Sequence, residues 1–158
     1  MANESKKLMT AAGKKRFEEE LASLKEERHK VSKEIGAARE QGDLSENADY
    51  DAAKDRQSEV EHRILELQSL LDNYRVLEDD ELDKQRVNVG CTVTIYDKTF
   101  DEEIVYSIVG APEADSRKRL ISYESPVGKA LLGVMAGQSV TVDLGDNILD
   151  FDIISVEY

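Results

Sequence analysis

The residues with the clearest chemical potential form an acidic turn, QGDLSENADY, at residues 41–50. Asp43 and Glu46 stand three residues apart in this turn, and Asp49 and Asp51 follow them. Carboxylate oxygens suit a hard cation such as Mg²⁺, which commonly keeps several waters while it binds one or two protein carboxylates. The turn is therefore a candidate metal site. Acidic residues also cap helices and favour helix N-termini, so the charges alone leave a structural role open.

Other familiar catalytic arrangements are missing from the sequence, which has no CxxC pair, no P-loop and no dinucleotide-binding glycine fingerprint. Cys91 is the single cysteine and lies in a strand-like stretch, which favours a small buried side chain over a nucleophile. His29 and His62 fall on predicted helices without a thiol neighbour, and we expect them on the helix surface. The candidate chemistry is therefore confined to the turn.

The composition restricts the partners and the compartment. The 158 residues carry a formal net charge of -13, which opposes autonomous DNA binding because basic groups must replace the counterions of a phosphate backbone. No apolar run approaches the roughly 18 residues of a membrane span, and the N-terminus lacks the apolar stretch of a signal peptide. We therefore expect no membrane association, no targeting segment and a cytoplasmic location.

Two helical stripes flank the turn. Their apolar members are Phe17, Leu21, Leu24, Val31, Ile35 and Ala38 in the first stripe, and Val60, Ile64, Leu67, Leu71 and Tyr74 in the second. Thr10 is the expected N-cap of the first helix, and Asp43 or Ser45 that of the second. Because neither helix can bury its stripe alone and the connection is short, the pattern predicts an antiparallel hairpin. Each arm of roughly 30 residues would extend over about 45 Å.

Beyond the acidic stretch at residues 78–84 the apolar period changes to two, which predicts strands. The predicted strands are residues 91–97, 102–110, 119–123, 138–144 and 149–158. A short helical pattern interrupts them, with Ser125 as its N-cap and Pro126 as its first residue. The sequence therefore predicts an α+β protein with a helical hairpin at residues 1–78 and a sheet domain at residues 79–158.

Two segments carry a family resemblance. GDLSENADYDAAKDRQ, at residues 42–57, closely resembles the hairpin-tip motif of the bacterial Gre transcript-cleavage factors, and MTAAGKKRFEEELASLK resembles their N-terminal helix. LISYESPVGKALLG, at residues 120–133, is similar to the Ser-Pro-Gly-Leu-Leu-Gly segment of their C-terminal domain. The motifs follow the family's order and span nearly the whole chain. Leu44 stands where GreB-type factors carry Arg, so the chain resembles the GreA type more closely.

The resemblance implies an N-terminal antiparallel coiled coil followed by a C-terminal domain of the FKBP-like fold. It also implies a transcription elongation factor that docks at the rim of the secondary channel of bacterial RNA polymerase and inserts its coiled coil toward the catalytic Mg²⁺. There the factor would stimulate the polymerase's own endonucleolytic cleavage of backtracked nascent RNA and so release arrested complexes, without being an enzyme itself. The alternative is a secondary-channel regulator that does not promote cleavage.

The same resemblance assigns roles to individual residues. Asp43 and Glu46 would hold or orient a second Mg²⁺ beside the nascent RNA 3′ end, an ion shared with the polymerase and not stably bound by the free protein. Support of the tip is expected from Ser45, Asn47 and Tyr50, for which helix capping and packing remain equally open. The residues expected to meet the polymerase rim are Glu124, Ser125 and Pro126.

Overall fold

The computed structural model describes residues 5–40 and 47–158. The chain divides into two compact units. The helical unit comprises Lys14–Asn73, and the sheet unit comprises the segment up to Gly13 together with Tyr74–Tyr158. None of the described helices is long and apolar enough to cross a membrane.

Two long helices, α1 (Ala11–Glu40) and α2 (Ala48–Asn73), account for the helical unit. Thr10 caps α1, because its hydroxyl accepts a hydrogen bond from Gly13 N at 3.0 Å. This confirms the cap predicted from the sequence. At the rise of an α-helix, the 30 residues of α1 extend over about 45 Å.

Ion pairs between the helices show that they run antiparallel. Glu20 on α1 pairs with Arg63 on α2 at 2.7 Å, whereas Glu27, further along α1, pairs with Arg56, which lies earlier on α2. The partner on α2 moves back along the chain as the partner on α1 moves forward. The helices therefore form the hairpin that the two stripes predicted.

The predicted stripes form the interface between the helices. Its buried side chains are Phe17, Val31, Ile35 and Ala38 on α1, and Ala53, Val60, Ile64 and Leu67 on α2. Leu21, Leu24 and Leu71 are only half-buried. The interface between the two stripes, called the seam below, therefore has the predicted register. On α1 its buried residues are concentrated toward the two ends of the seam.

Two short strands border the hairpin. β1 (Lys7–Met9) directly precedes α1, and β2 (Tyr74–Val76) directly follows α2. β1 and β2 pair with each other in parallel, and the compact units group both strands with the sheet unit. The boundary expected between residues 78 and 79 stays a prediction. Tyr74, which its spacing placed in the second helical stripe, lies in β2.

The sheet unit contains one five-stranded sheet and one short helix. Its further elements are β3 (Thr92–Asp97), β4 (Glu102–Val109), β5 (Leu120–Ser122), α3 (Pro126–Leu131), β6 (Ser139–Asp143) and β7 (Ile148–Glu157). The strand order is β5-β4-β3-β7-β6, and every neighbouring pair is antiparallel except β4 with β5. All five predicted strands and the predicted short helix are present, which confirms the α+β class.

The core of the sheet unit gathers side chains from the sheet, from α3 and from the segment that leads into β3. Its buried members are Val87, Val89, Cys91, Val93, Ile95, Ile104, Ile108, Leu131, Val142, Phe151 and Ile153. The alternate residues of β3 are buried, as a period of two requires for a strand with one face in the core.

Candidate functional site

The acidic turn lies only partly within the described residues. Asp43, Ser45 and Glu46 fall outside the described residues. The assignment of Asp43 and Glu46 as metal donors and of Ser45 as a supporting residue therefore stays a prediction. Asn47 and Tyr50 are described, and both lie at the start of the second helix.

Asn47 connects the two helices beside the turn. Its side-chain Nδ2 donates a hydrogen bond to the main-chain oxygen of Ala38 at 2.6 Å, and its Oδ1 accepts one from Tyr50 N at 3.1 Å. One amide thus satisfies a carbonyl near the end of α1 and an N–H in the first turn of α2. The N-cap of α2 is therefore Asn47, instead of Asp43 or Ser45. Asparagine is among the favoured N-cap residues, and it directly precedes the uninterrupted helical pattern.

Tyr50 packs inside the hairpin. Its half-buried side chain lies against the cluster that Val31 and Ile35 form with Ala53. This contact joins the last turns of α1 to the first turns of α2. Asn47 and Tyr50 together close the end of the hairpin that carries the acidic turn.

Charged side chains line the helix ends that meet at the turn. Asp49 and Asp51 lie in the first turn of α2 and are exposed, and Arg39 lies in the last turn of α1. Each charge is opposite in sign to the partial charge of its helix end, so each stabilises its helix. Asp49 and Asp51 therefore fit the structural role that the charges alone left open, which is stabilisation of a helix N-terminus.

The remaining titratable candidates have ordinary structural roles. His29 and His62 are exposed on the helices, as predicted, and His62 Nε2 lies 2.6 Å from Glu66 Oε1 on the next turn. Cys91 is buried in the core, where loss of solvation raises the pKa of its thiol. This confirms the interpretation of Cys91 as a small buried side chain.

One acidic cluster outside the turn has the spacing of a possible cation site. Among the described residues, Glu78, Asp80 and Glu81 are the only three carboxylates close enough to share an ion, and all three are exposed. Arg75 pairs with Glu81 at 2.8 Å and lowers the pKa of that carboxyl group. An internal ion pair therefore already engages one member of the group.

The second predicted site lies where β5 leads into α3. Ser125 caps α3, because its Oγ accepts a hydrogen bond from Gly128 N at 3.1 Å and donates one to Ser122 O at 2.7 Å. Glu124 N donates to Ser122 Oγ at 3.1 Å. Pro126 is the first residue of the helix and is exposed. The predicted cap and first residue are confirmed, and the three residues share one hydrogen-bonded turn.

Glu124 also contacts the N-terminal strand. Its carboxylate lies 3.3 Å from Lys7 Nζ, and this hydrogen bond raises the pKa of Lys7. The neighbouring Tyr123 hydroxyl accepts a hydrogen bond from Leu8 N at 3.1 Å. The turn therefore holds β1 with two adjacent side chains, a connection that no local sequence pattern reveals.

Comparison with known families matches both halves of the chain. The family model described as "Transcription elongation factor, N-terminal" matches residues 7–76, and the one described as "Transcription elongation factor, GreA/GreB, C-term" matches residues 82–158. The first match begins at β1 and ends at β2.

Individual relatives match over nearly their full length. The transcription elongation factor GreA of Lachnoclostridium phytofermentans is 46% identical over 155 residues, which cover 98% of this chain and 97% of that protein. The GreA of Clostridium novyi is 42% identical over 157 residues and 99% of both chains. The solved structure of GreA factor homolog 1 from Thermus thermophilus covers 97% of this chain and 99% of its own, at 25% identity and a TM-score of 0.44.

Proposed function

The chain belongs to the GreA/GreB family of transcription elongation factors, and we propose that it works by bringing Asp43 and Glu46 to the active centre of bacterial RNA polymerase. The factor enters through the secondary channel and stimulates the polymerase's own cleavage of backtracked nascent RNA. The polymerase supplies most of the catalytic site, and the factor contributes two carboxylates. Cleavage leaves a new RNA 3′ end at the active centre, from which an arrested complex resumes synthesis.

The closure of the hairpin beside the acidic turn is the observation that carries this proposal. Asn47 bonds to Ala38 across the two helices, and Tyr50 packs between them, so these contacts hold the end of α1 against the start of α2. A pair of helices whose first member extends over about 45 Å suits delivery of a few side chains into a narrow channel.

The donor set suits a metal ion that two proteins share. Proteins usually contribute one or two carboxylates to Mg²⁺, which takes its remaining ligands from water and phosphate oxygens. Two carboxylates alone bind weakly, in keeping with an ion that the free factor does not retain. Bound there, a second metal ion would work with the polymerase's own ion to stabilise the charges that develop in an in-line phosphoryl transfer. Asp43 and Glu46 would hold and orient it beside the RNA, with the cap at Asn47 supporting their segment.

The turn at Glu124, Ser125 and Pro126 is the proposed contact with the polymerase rim. The cap bonds of Ser125 hold the turn in shape, and Pro126 is exposed at its surface. Glu124 keeps 35% of its side chain exposed despite its ion pair with Lys7. The carboxylate therefore has room for a second basic partner.

Transcript cleavage by stalled elongation complexes tests the role of the tip. Asp43→Asn and Glu46→Gln remove the charges with little change in shape, and we expect each to lower stimulated cleavage at saturating factor on the order of 10²–10³-fold, as loss of transition-state electrostatics does elsewhere. Asp55→Asn is the matched control, since Asp55 is an exposed carboxylate further along α2.

Three results separate the candidate functions. Loss of cleavage in both tip variants, with polymerase binding retained, supports the proposal. Full cleavage by the Asp43→Asn, Glu46→Gln double variant would refute the assignment of these residues. Polymerase binding without stimulated cleavage by the unaltered factor would instead favour the non-cleaving regulator.

A second experiment tests the docking turn. Combining Glu124→Gln with Pro126→Ala should weaken binding to polymerase, and higher factor concentrations should restore cleavage because the tip is unchanged. Lys7→Gln is the control, since it breaks the same ion pair but leaves Glu124 in place. Equal weakening by Lys7→Gln would assign the effect to the ion pair, and failure at saturating concentration would contradict a docking role.

A further inference from the structure

Two carboxylates are buried among the described residues, and only one has a purely local explanation. Asp97 is 3% exposed and accepts hydrogen bonds from Thr99 N and Phe100 N, so it shapes the turn between β3 and β4. Glu113 is 6% exposed, and two of its three hydrogen bonds come from a residue 103 positions away in the chain. Burying a carboxylate costs free energy unless its oxygens accept hydrogen bonds, so the burial of Glu113 against a distant segment needs an explanation.

Glu113 holds the start of α1. Its Oε2 accepts hydrogen bonds from Thr10 N at 3.0 Å and from Gly110 N at 2.9 Å, and its Oε1 accepts one from the Thr10 hydroxyl. The same hydroxyl accepts the N–H of Gly13. Thr10 therefore links the buried carboxylate to the first turn of α1.

Two glycines permit this close approach. A Cβ atom added at Gly13 would overlap Glu113 Oε1, and one added at Gly110 would overlap Leu8 O. The glycine at position 13 is otherwise unfavourable, because glycine destabilises a helix relative to alanine. Its presence is explained by the carboxylate that occupies the space of its side chain.

We propose that Glu113 is a positioning residue for the acidic tip, and that it acts through Thr10 to fix the first turn of α1. The proposal rests on the function proposed above. Because α1 is one continuous helix, a tilt of one degree at its first turn moves its far end by roughly 0.8 Å over its length of about 45 Å. Misplacement of catalytic groups by about 1 Å can cost on the order of a hundredfold in rate.

The hydrogen bonds from Thr10 and Gly110 to Glu113 are called the clamp below. Three variants test the clamp in full-length protein. Glu113→Ala removes both carboxylate oxygens, which accept the three hydrogen bonds. Gly13→Ala keeps every donor and acceptor but places a methyl group where the carboxylate lies. Glu113→Gln keeps one oxygen, which accepts hydrogen bonds from Thr10 N and Gly110 N. Its side-chain NH₂ group takes the place of the other oxygen and donates to a free lone pair of the Thr10 hydroxyl.

Asp97→Ala is the matched control. It removes the other buried carboxylate of the sheet unit, whose two hydrogen bonds come from the main chain of its own turn. Both alanine variants should lower the melting temperature of the protein. A purely structural role for Glu113 would make the two variants alike in every other measurement.

The primary readout is stimulated RNA cleavage across a concentration series of factor. We expect Glu113→Ala and Gly13→Ala to lower the rate at saturation by roughly tenfold to a hundredfold, with little change in the half-saturating concentration. Glu113→Gln should recover most of the rate, and Asp97→Ala should keep all of it. Gly13→Ala is the sharpest variant, because the same change stabilises most helices.

Amide hydrogen exchange provides a readout that does not depend on cleavage. Exchange at Gly13 and in the following turn of α1 should become about tenfold faster in Glu113→Ala, as expected for the loss of about one hydrogen bond, and should stay unchanged in Asp97→Ala. Faster exchange with unchanged saturating cleavage would refute the positioning role, and unchanged exchange would refute the clamp. Failure of the unaltered factor to stimulate cleavage would refute the proposed function, while exchange would still decide whether the clamp exists.

Discussion

In the helical unit the buried side chains lie along one seam between two helices, whereas in the sheet unit most of them come from the sheet, α3 and the segment before β3 and form one core. Ion pairs such as Glu20 with Arg63 border the seam on its exposed side. The proposed chemistry of the acidic turn is therefore assigned to the unit with the narrow seam, and the large core belongs to the sheet unit.

The two units also differ in how far apart their contacting segments lie in the sequence. The helical seam pairs residues in a simple antiparallel order, while the sheet unit joins β1 to β2, Leu8 to Tyr123 and Thr10 to Glu113. Substitutions in the helical unit should therefore have effects that follow the helical period. Substitutions in the sheet unit should depend on individual long-range partners.

The largest expected effect separates seam from surface within one helix. Leu67 is 0% exposed and Leu65 is 64% exposed on α2, so Leu67→Ala should lower the free energy of unfolding by about 2–5 kcal/mol. Leu65→Ala should change it by less than about 0.5 kcal/mol, as is usual for surface positions. Urea denaturation of both variants measures the difference. Equal losses would contradict a single narrow seam.

Closure of the hairpin by Asn47 predicts an intermediate effect. Asn47→Ala removes the cap and the bond to Ala38 O, and should destabilise the protein by roughly 1–2 kcal/mol. Asn47→Asp keeps the acceptor for Tyr50 N and should lose less. Asn73→Ala is the control, because Asn73 bonds to Ser69 O within the same helix. If Asn47→Ala and Asn73→Ala lowered the melting temperature equally, the bridge between the helices would have no special value.

Ion pairs between the helices should contribute less. Arg63 bonds to both carboxylate oxygens of Glu20, and the pKa of Arg63 is raised by these bonds. Because the pair is partly exposed, Glu20→Gln should cost only about 0.2–1 kcal/mol. The loss should shrink at high salt concentration. A loss that is independent of salt would point to packing of the side chains instead of charge.

The smallest predicted effect concerns acid stability of the sheet unit. The Ser139 hydroxyl and the Lys98 ammonium hold the pKa of Asp152 below its ordinary value of 3.8. A lowered pKa in the folded state adds stability above the unfolded pKa, and this contribution is lost as the pH falls through the folded-state value. In Ser139→Ala the pKa of Asp152 should rise. The variant should be less stable than the unaltered protein at neutral pH, and this difference should diminish in acid. An NMR titration of the Asp152 carboxyl would show no rise if Ser139 were unimportant.

Local patterns in the sequence predicted most of the architecture. The heptad spacing predicted every buried apolar position of the two helices except Ala53, and the alternation of apolar residues predicted the five strands. Ser125 and Pro126 marked the start of α3, and Thr10 marked the start of α1. These features follow from side-chain periodicity and capping chemistry, which act over a few residues.

Other features were absent from the predictions because their partners are distant. β1 and β2 are three residues long, too short for a period to appear, and they form because each provides main-chain partners for the other. The cap at Asn47 is set by where α2 begins, and the bond to Ala38 requires the closed hairpin.

The sequence by itself determined the class of the fold, the hairpin with its acidic turn, and the family that the turn and the Ser125 segment resemble. Only the tertiary structure decided that Glu113 is buried against Thr10, that Gly13 makes room for it, and that Lys7 pairs with Glu124. The physical reason is the range of the interactions. Periodicity and capping are encoded within a few neighbouring residues, whereas the burial of a carboxylate depends on donors that folding alone brings within 3 Å.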